Sequence, residues 1–165
     1  TKLYEFKALT IIDPVTNLTE LVRIDDKTSK EISKRFSQTW LTRYPWPMKC
    51  IHDNGGEFTG WEFQQLLEQC NIKDTPTTSR NPTANAVCER MHQTVGNVLR
   101  TLVHKNPPRG TRQAKDLVDE ALAVAQHALR CAVHTTLGSS PGALVFNRDM
   151  FLNIPLIADW QVLNL

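Results

Sequence analysis

No run of apolar residues in this chain approaches the ~18–20 that a membrane-spanning helix requires, so no membrane span is expected. Cysteine is scarce and scattered. Cys50, Cys70, Cys88 and Cys131 form no C-x-x-C pair and no paired-ligand pattern with the five histidines. That excludes a zinc module with such spacing and favours the reduced thiols of a cytosolic or nuclear protein over a disulfide framework. Charge of one sign is lacking too. The 19 Lys and Arg against 17 Asp and Glu leave +2, too little to announce a nucleic-acid partner. There is no repeat, no low-complexity segment, no internal linker and no secretory signal pattern. The chain does not begin with methionine and is expected to be a piece of a longer polypeptide. What is present, 165 residues with 41% hydrophobic and 22% charged, suits one globular domain with its own core.

Residues 4–12 and 18–24 are β-rich, and the intervening "DPVTN" has turn composition, which predicts an antiparallel hairpin. Thr28 and Glu31 stand in capping-box spacing before Ile32, Phe36 and Trp40, which predicts a helix to about Arg43. "YPWP" ends it, and 48–52 reads as a short buried strand that runs into Asp53. Thr59 and Glu62 repeat the capping spacing for a helix with Phe63, Leu66, Leu67 and Cys70 on its apolar face. A short strand is expected at 72–75, a mobile loop at 76–85 and a long helix at about 84–104. Met91, Val95, Val98 and Leu102 are that helix's core stripe, and Glu89, Gln93, Asn97 and Arg100 share another face. A further helix at 115–133 is apolar on more than one side, and Ser140 with Pro141 starts a short one. Strands first and then alternating helices and strands predict a mixed α/β sheet with helices on both faces.

Asp53 stands where an apolar strand gives way to "NGGEF", and glycines there allow close backbone approach. Strand ends of α/β sheets are where ligands bind. Glu89, 36 positions on, is the only acid between Ser79 and Lys115, a stretch that holds seven basic residues. A carboxylate so placed either pairs with a neighbour such as Arg90 or holds a cation. Two carboxylates converging from a strand end and a helix suit Mg²⁺ or Mn²⁺, which favour oxygen ligands and take phosphate oxygens from a substrate. Two such ions can serve an in-line phosphoryl displacement, with the surrounding basic residues on the phosphodiester backbone.

"HDNGGEF", followed by "PTTSRNPTANAVCERMHQTVGNVLRTL", resembles the catalytic core of retroviral and LTR-retrotransposon integrases, the gypsy-type elements above all. That family has Asp-Asn-Gly after a strand and Glu-Arg on a long helix, and "HTTLGSSPGALVFNRD" resembles its later stretch. The resemblance covers nearly the whole chain. It implies an RNase H-like core over 1–150, a tail over 151–165, and metal-dependent 3′-end processing and DNA strand transfer. Asp53 and Glu89 would be the catalytic and metal-binding acids of a two-metal site. Asn85, His92, Gln93 and Arg100 would face DNA. It further implies element-end and target DNA as partners, a homodimer or higher oligomer, and work in the nucleus or in a cytoplasmic pre-integration particle. A non-catalytic DNA-binding or assembly module, and an RNase H-like transposase or nuclease, stay open as alternatives.

The family uses three acids. Asp13 lies 40 positions before Asp53, but "LTIIDPVTNLTELVRI" resembles the family's second and third strands, where an Asp opens the connecting turn. The first acid is therefore expected on a preceding strand, the centre of the sheet, which this chain would lack; a catalytic Asp13 is the alternative. His52 is expected to make an ordinary hydrogen bond at the strand end. Glu57 is expected to serve as a helix N-terminal charge. Trp40, Trp46, Trp61 and Trp160 are expected to be core or interface anchors.

Overall fold

Asp13 and Asn17 turn the chain between its first two strands. The Asn17 N–H donates to the Asp13 carbonyl at 2.8 Å and the Asp13 N–H to Leu18 at 2.9 Å. Asn17 takes the left-handed conformation, φ 59°, that asparagine tolerates. The flanking residues pair antiparallel as β1, Lys7–Ile12, and β2, Thr19–Ile24, with Leu9 opposite Val22. The computed structural model describes residues 4–77, 82–148 and 150, with backbone alone over 82–87.

Helix α1, Ser29–Phe36, begins at Thr28, whose hydroxyl accepts the Glu31 N–H at 3.2 Å. The reciprocal half of the capping box is not made, because Arg35 takes the Glu31 carboxylate at 2.7 Å. The helix continues through a π-helical turn, Ser37–Leu41, and stops near Thr42, just short of the expected Arg43. Strand β3, Lys49–His52, pairs parallel with β4, Lys73–Pro76. Between them lie the single turn α2, Gly56–Thr59, and α3, Trp61–Gln69.

The second predicted cap is wrong. Thr59 closes α2, and Gly60 is the N-cap of α3. Ser29 of α1 supplies the cap from outside, its Oγ accepting the Phe63 N–H at 3.0 Å. Gly60 permits this, since a Cβ there would overlap the Ser29 side chain. At the other end of α3, Asn71 at φ 53° closes a Schellman turn, with Ile72 N–H on Leu67 and Asn71 N–H on Glu68.

The long helices are α4, Pro82–Lys105, and α5, Thr111–Cys131. Helix α4 begins at Pro82, two residues before the predicted start, and α5 begins four residues before its own. Helix α6, Pro141–Phe146, starts as expected, with the Ser140 hydroxyl accepting the Ala143 N–H at 3.2 Å.

The hairpin and the parallel pair are separate two-stranded sheets among the described residues. The expected mixed sheet is thus present as an antiparallel and a parallel half. Side chains of α1 and of the π-helical turn after it join them: Ile32, Phe36 and Trp40 pack with Leu9, Leu18 and Ile24 of the hairpin segment and with Phe63, Leu67 and Ile72. A second cluster, Leu21, Met91, Leu122 and Ala125, seats α4 and α5 on β2. Cys50, Cys70 and Cys88 are free thiols. No described helix is long and apolar enough to cross a membrane.

Candidate active site

Asp53 follows the last residue of β3 and is exposed. Its Oδ1 accepts the Gly55 N–H at 3.1 Å, and Oδ2 makes no hydrogen bond to a described residue. Gly55 is the tight point. A Cβ there would lie 2.7 Å from Glu57 Oε2 and 3.1 Å from Asp53 Oδ1, so a larger residue would make the Glu57 carboxyl swing away and would press on that of Asp53. Glu57 sits in the first turn of α2, as expected of a helix N-terminal charge, and pairs with Lys27 at 3.5 Å.

Glu89 is exposed on α4 and makes no hydrogen bond or ion pair with a described residue. The pairing with Arg90 that the sequence left open is not formed. Arg90 instead reaches His134, Nη1 to Nδ1 at 3.3 Å. Met91, buried two residues on, fixes the same turn of α4 against Leu21 and Leu122. The helix turn that carries Glu89 is thus held from two sides while Glu89 points to solvent.

Of the residues expected on DNA, His92, Gln93 and Arg100 are exposed on α4. Arg100 is steadied by Asn97 Oδ1 at 2.7 Å. His92 also borders a cleft of about 360 Å³ between α4 and the hairpin, lined by Ala8, Thr10, Val95 and Leu99. Asn85 lies in the first turns of α4, where only the backbone is described.

Asp13 sits in the hairpin turn, its carboxylate accepting from Val15 N–H at 3.2 Å and the Thr16 hydroxyl at 2.6 Å. Among the described residues no three His, Cys, Asp or Glu lie together as a metal-ligand set. Asp53 and Glu89 therefore offer oxygen ligands of the right chemistry for a hard divalent ion, but not a full set. Of the tryptophans, Trp40 is core, whereas Trp46 and Trp61 are 58% and 73% exposed. Trp160 and the expected tail over 151–165 lie outside the described residues.

His134 was not singled out by sequence. It is buried, its N–H donates to Ser139 at 3.0 Å, and Leu137 and Gly138 donate to its carbonyl. Burial first and the Arg90 charge second push the His134 imidazole below the usual histidine range. With the folded value below the unfolded one, its contribution to stability is present above the usual value of ~6.5 and is lost as pH falls through the folded value. Urea midpoints should fall between about pH 7.5 and about pH 5.5, and His134→Gln should reduce that fall. An identical fall in the variant would exclude His134 as a cause.

No family model matches the chain. Over 70 residues it is 34% identical to the Gag-Pro-Pol polyprotein of squirrel monkey retrovirus, a match to 42% of this chain and 4% of that polyprotein. Solved structures superpose on most of it. The catalytic core domain of BIV integrase gives a TM-score of 0.66 at 19% identity, covering 86% of this chain and 91% of that one. The fold is that of a retroviral integrase catalytic core. The HTLV-2 integrase catalytic core domain, solved in complex with magnesium in a trimeric form, gives 0.67 at 20% identity over 86% of each chain. The integrase-core fold puts Asp53 at the carboxyl end of a parallel strand and Glu89 on the long helix that follows.

Proposed function

We propose that this chain is the catalytic core of a retroelement integrase, a divalent-metal-dependent polynucleotidyl transferase that trims 3′ ends of element DNA and joins them to a target. One observation carries the proposal. On an integrase-core fold, an exposed carboxylate stands where β3 stops, and a second, with no partner among the described residues, stands on α4. Mg²⁺ or Mn²⁺, when bound, supplies Lewis acidity for the attacking water or DNA 3′-hydroxyl and for the leaving oxygen. The chain's own part is to hold and aim. Gly55 N–H fixes one oxygen of Asp53, and the Arg90–His134 contact and Met91 fix the helix turn beneath Glu89. Asn85, His92, Gln93 and Arg100 would line the path of the phosphodiester backbone, with binding that weakens as salt rises. The element ends and target DNA would be met in the nucleus, or first in a cytoplasmic particle.

The test is a Mn²⁺ titration followed by NMR line broadening. Signals beside Asp53 and beside Glu89 should broaden together, and Asp53→Asn or Glu89→Gln should suppress both. Broadening at one acid that ignores loss of the other would exclude a shared site. A non-catalytic DNA-binding or assembly module is the second reading, favoured by the lack of a three-ligand set among the described residues. It predicts DNA binding indifferent to Asp53→Asn and to Mn²⁺.

Assembly follows from α5. Ala121, Leu122 and Ala125 are buried within the chain, but Val124 and Ala128 stay exposed on the flank beside that buried face, with Leu117 half-buried. We propose that this stripe forms a two-fold dimer. Sedimentation should show a dimer that Val124→Glu converts to monomer; a strict monomer at high concentration would exclude it.

A further inference from the structure

His52 ends β3 immediately before Asp53, and nothing above gives it a role. It is 8% exposed. Its ring stacks on Phe58 with centroids 5.2 Å apart and meets Phe63 edge-on at 5.9 Å. A polar ring in such a slot needs partners for both nitrogens. Nδ1 lies 2.5 Å from the Asp53 carbonyl oxygen. A carbonyl can only accept, so Nδ1 carries a hydrogen and donates it. Nε2 lies 2.5 Å from Asp74 Oδ1, with one proton between the two groups. Asp74 is on β4, and its Cα pairs with that of Cys50 across the parallel ladder. The His52 carbonyl in turn accepts the Thr77 N–H at 2.8 Å, which extends the ladder past the strand end.

Asp53 is therefore gripped twice. The His52 ring holds its carbonyl, and the Gly55 N–H holds its Oδ1. The first contact limits rotation of the peptide that leaves Asp53; the second limits rotation of the side chain. With the ring gone, the Asp53–Asn54 peptide is released, and the Gly55 N–H that orients the carboxylate moves with it. Groups that orient a ligand in this way typically change metal affinity ~10–100-fold when removed.

We propose that His52, held by Asp74, is a positioning residue that sets the aim of the Asp53 carboxylate and hence the affinity of the site for a divalent cation. This rests on Asp53 being a metal ligand. His52 touches neither metal nor substrate in this role, and packing alone is the rival account, because Phe58 and Phe63 would accept any flat ring.

The test uses the whole 165-residue chain, Mn²⁺ alone as probe, and a single fixed pH. His52→Phe keeps the stacking and removes both nitrogens. Asp74→Asn keeps a hydrogen-bond partner for Nε2, its amide NH2 donating to the neutral ring or its oxygen accepting from the charged one, and Asp74→Leu removes that partner while leaving His52 in place. Mn²⁺ affinity should fall about tenfold or more in His52→Phe and Asp74→Leu and stay near wild type in Asp74→Asn. Hydrogen exchange at the Gly55 amide should quicken in the same two variants, while the Cys50 amide, inside β3, stays protected. Wild-type affinity and Gly55 exchange in His52→Phe would overturn the proposal in favour of packing. If His52→Phe does not fold, the two Asp74 variants decide: equal affinity in Asn and Leu overturns it. Mn²⁺ binding untouched by Asp53→Asn overturns the metal-ligand assignment and the positioning role with it. That result is distinct, because Gly55 exchange would still respond to His52→Phe.

Discussion

Strand transfer on a DNA-end substrate by the 165-residue chain with Mn²⁺ is expected to lie near background. The reason is ligand supply. Asp53 and Glu89 offer two carboxylates, and the only other acid at a suggestive interval, Asp13, spends both oxygens on its own turn, at Val15 and Thr16. A longer form of the chain that brings an acid on a strand between the two sheets should gain activity by orders of magnitude, because metals stabilise charge that develops in the transition state. In that form Asp53→Asn or Glu89→Gln should abolish transfer with the fold intact. Asp13→Asn should cost a little stability and hardly any activity. The assay that decides is transfer by the unextended chain. Robust activity that Asp13→Asn removes would make Asp13, Asp53 and Glu89 the triad and overturn the assignment of Asp13 as a turn residue.

The largest stability effect is expected at Glu20. This β2 residue is 2% exposed. Its carboxylate accepts from the Tyr44 hydroxyl at 2.5 Å and from Arg130 of α5, with Arg43 at 3.7 Å on the outer side. Burial first, and then the neighbouring Glu20, push the Tyr44 hydroxyl up to about 12, so it stays a donor. Arg130→Met removes the main counter-charge and leaves a carboxylate inside with partial compensation. A loss of about 3–5 kcal/mol is expected from urea unfolding. Replacing Glu20 and Arg130 with leucine and Tyr44 with phenylalanine together should recover most of it, since a buried polar group removed whole is worth little against well-packed apolar groups. A single-variant loss below about 1 kcal/mol would show that water reaches the carboxylate.

What the sequence made legible was local. The hairpin turn, the Thr28 and Ser140 caps, and the place of the strand that delivers Asp53 all depend on residues within a few positions of each other, but that strand, expected to be buried, is exposed at Lys49 and Ile51 because no described strand covers its other side. What it hid was contributed from afar. The α3 cap comes from Ser29, 34 residues before its partner, so Thr59 looked like the cap by spacing alone. Glu20 sits between Thr19 and Leu21, all three buried, so β2 breaks the alternation that would have marked a charged residue as outward. Its partner Arg130 is 110 positions away. Glu89 stood out because it was alone among basic residues, and the structure sends its neighbour Arg90 elsewhere, to His134. His52 was read as an ordinary strand-end hydrogen bonder because nothing nearby in sequence showed that Asp74 and two phenylalanines would enclose it. Trp46 and Trp61 were expected to be core or interface anchors, and their exposure rules out the core for both, since aromatic type alone does not fix a side chain inside.

Each described strand has a partner on one side only. The outer edges of β1 and β3 therefore carry rows of backbone donors and acceptors that another chain can match, and Met48 and Ile51 add exposed apolar side chains at β3. Where the β1 edge of one copy meets the β3 edge of the next, the contact is heterologous, each copy offering a fresh edge, so growth need not stop. A patch on α5 that meets its own copy uses itself up and closes at two. Open-ended polymers from this chain would thus report its sheet edges, and a closed dimer that Val124→Glu dissolves would speak for the helix.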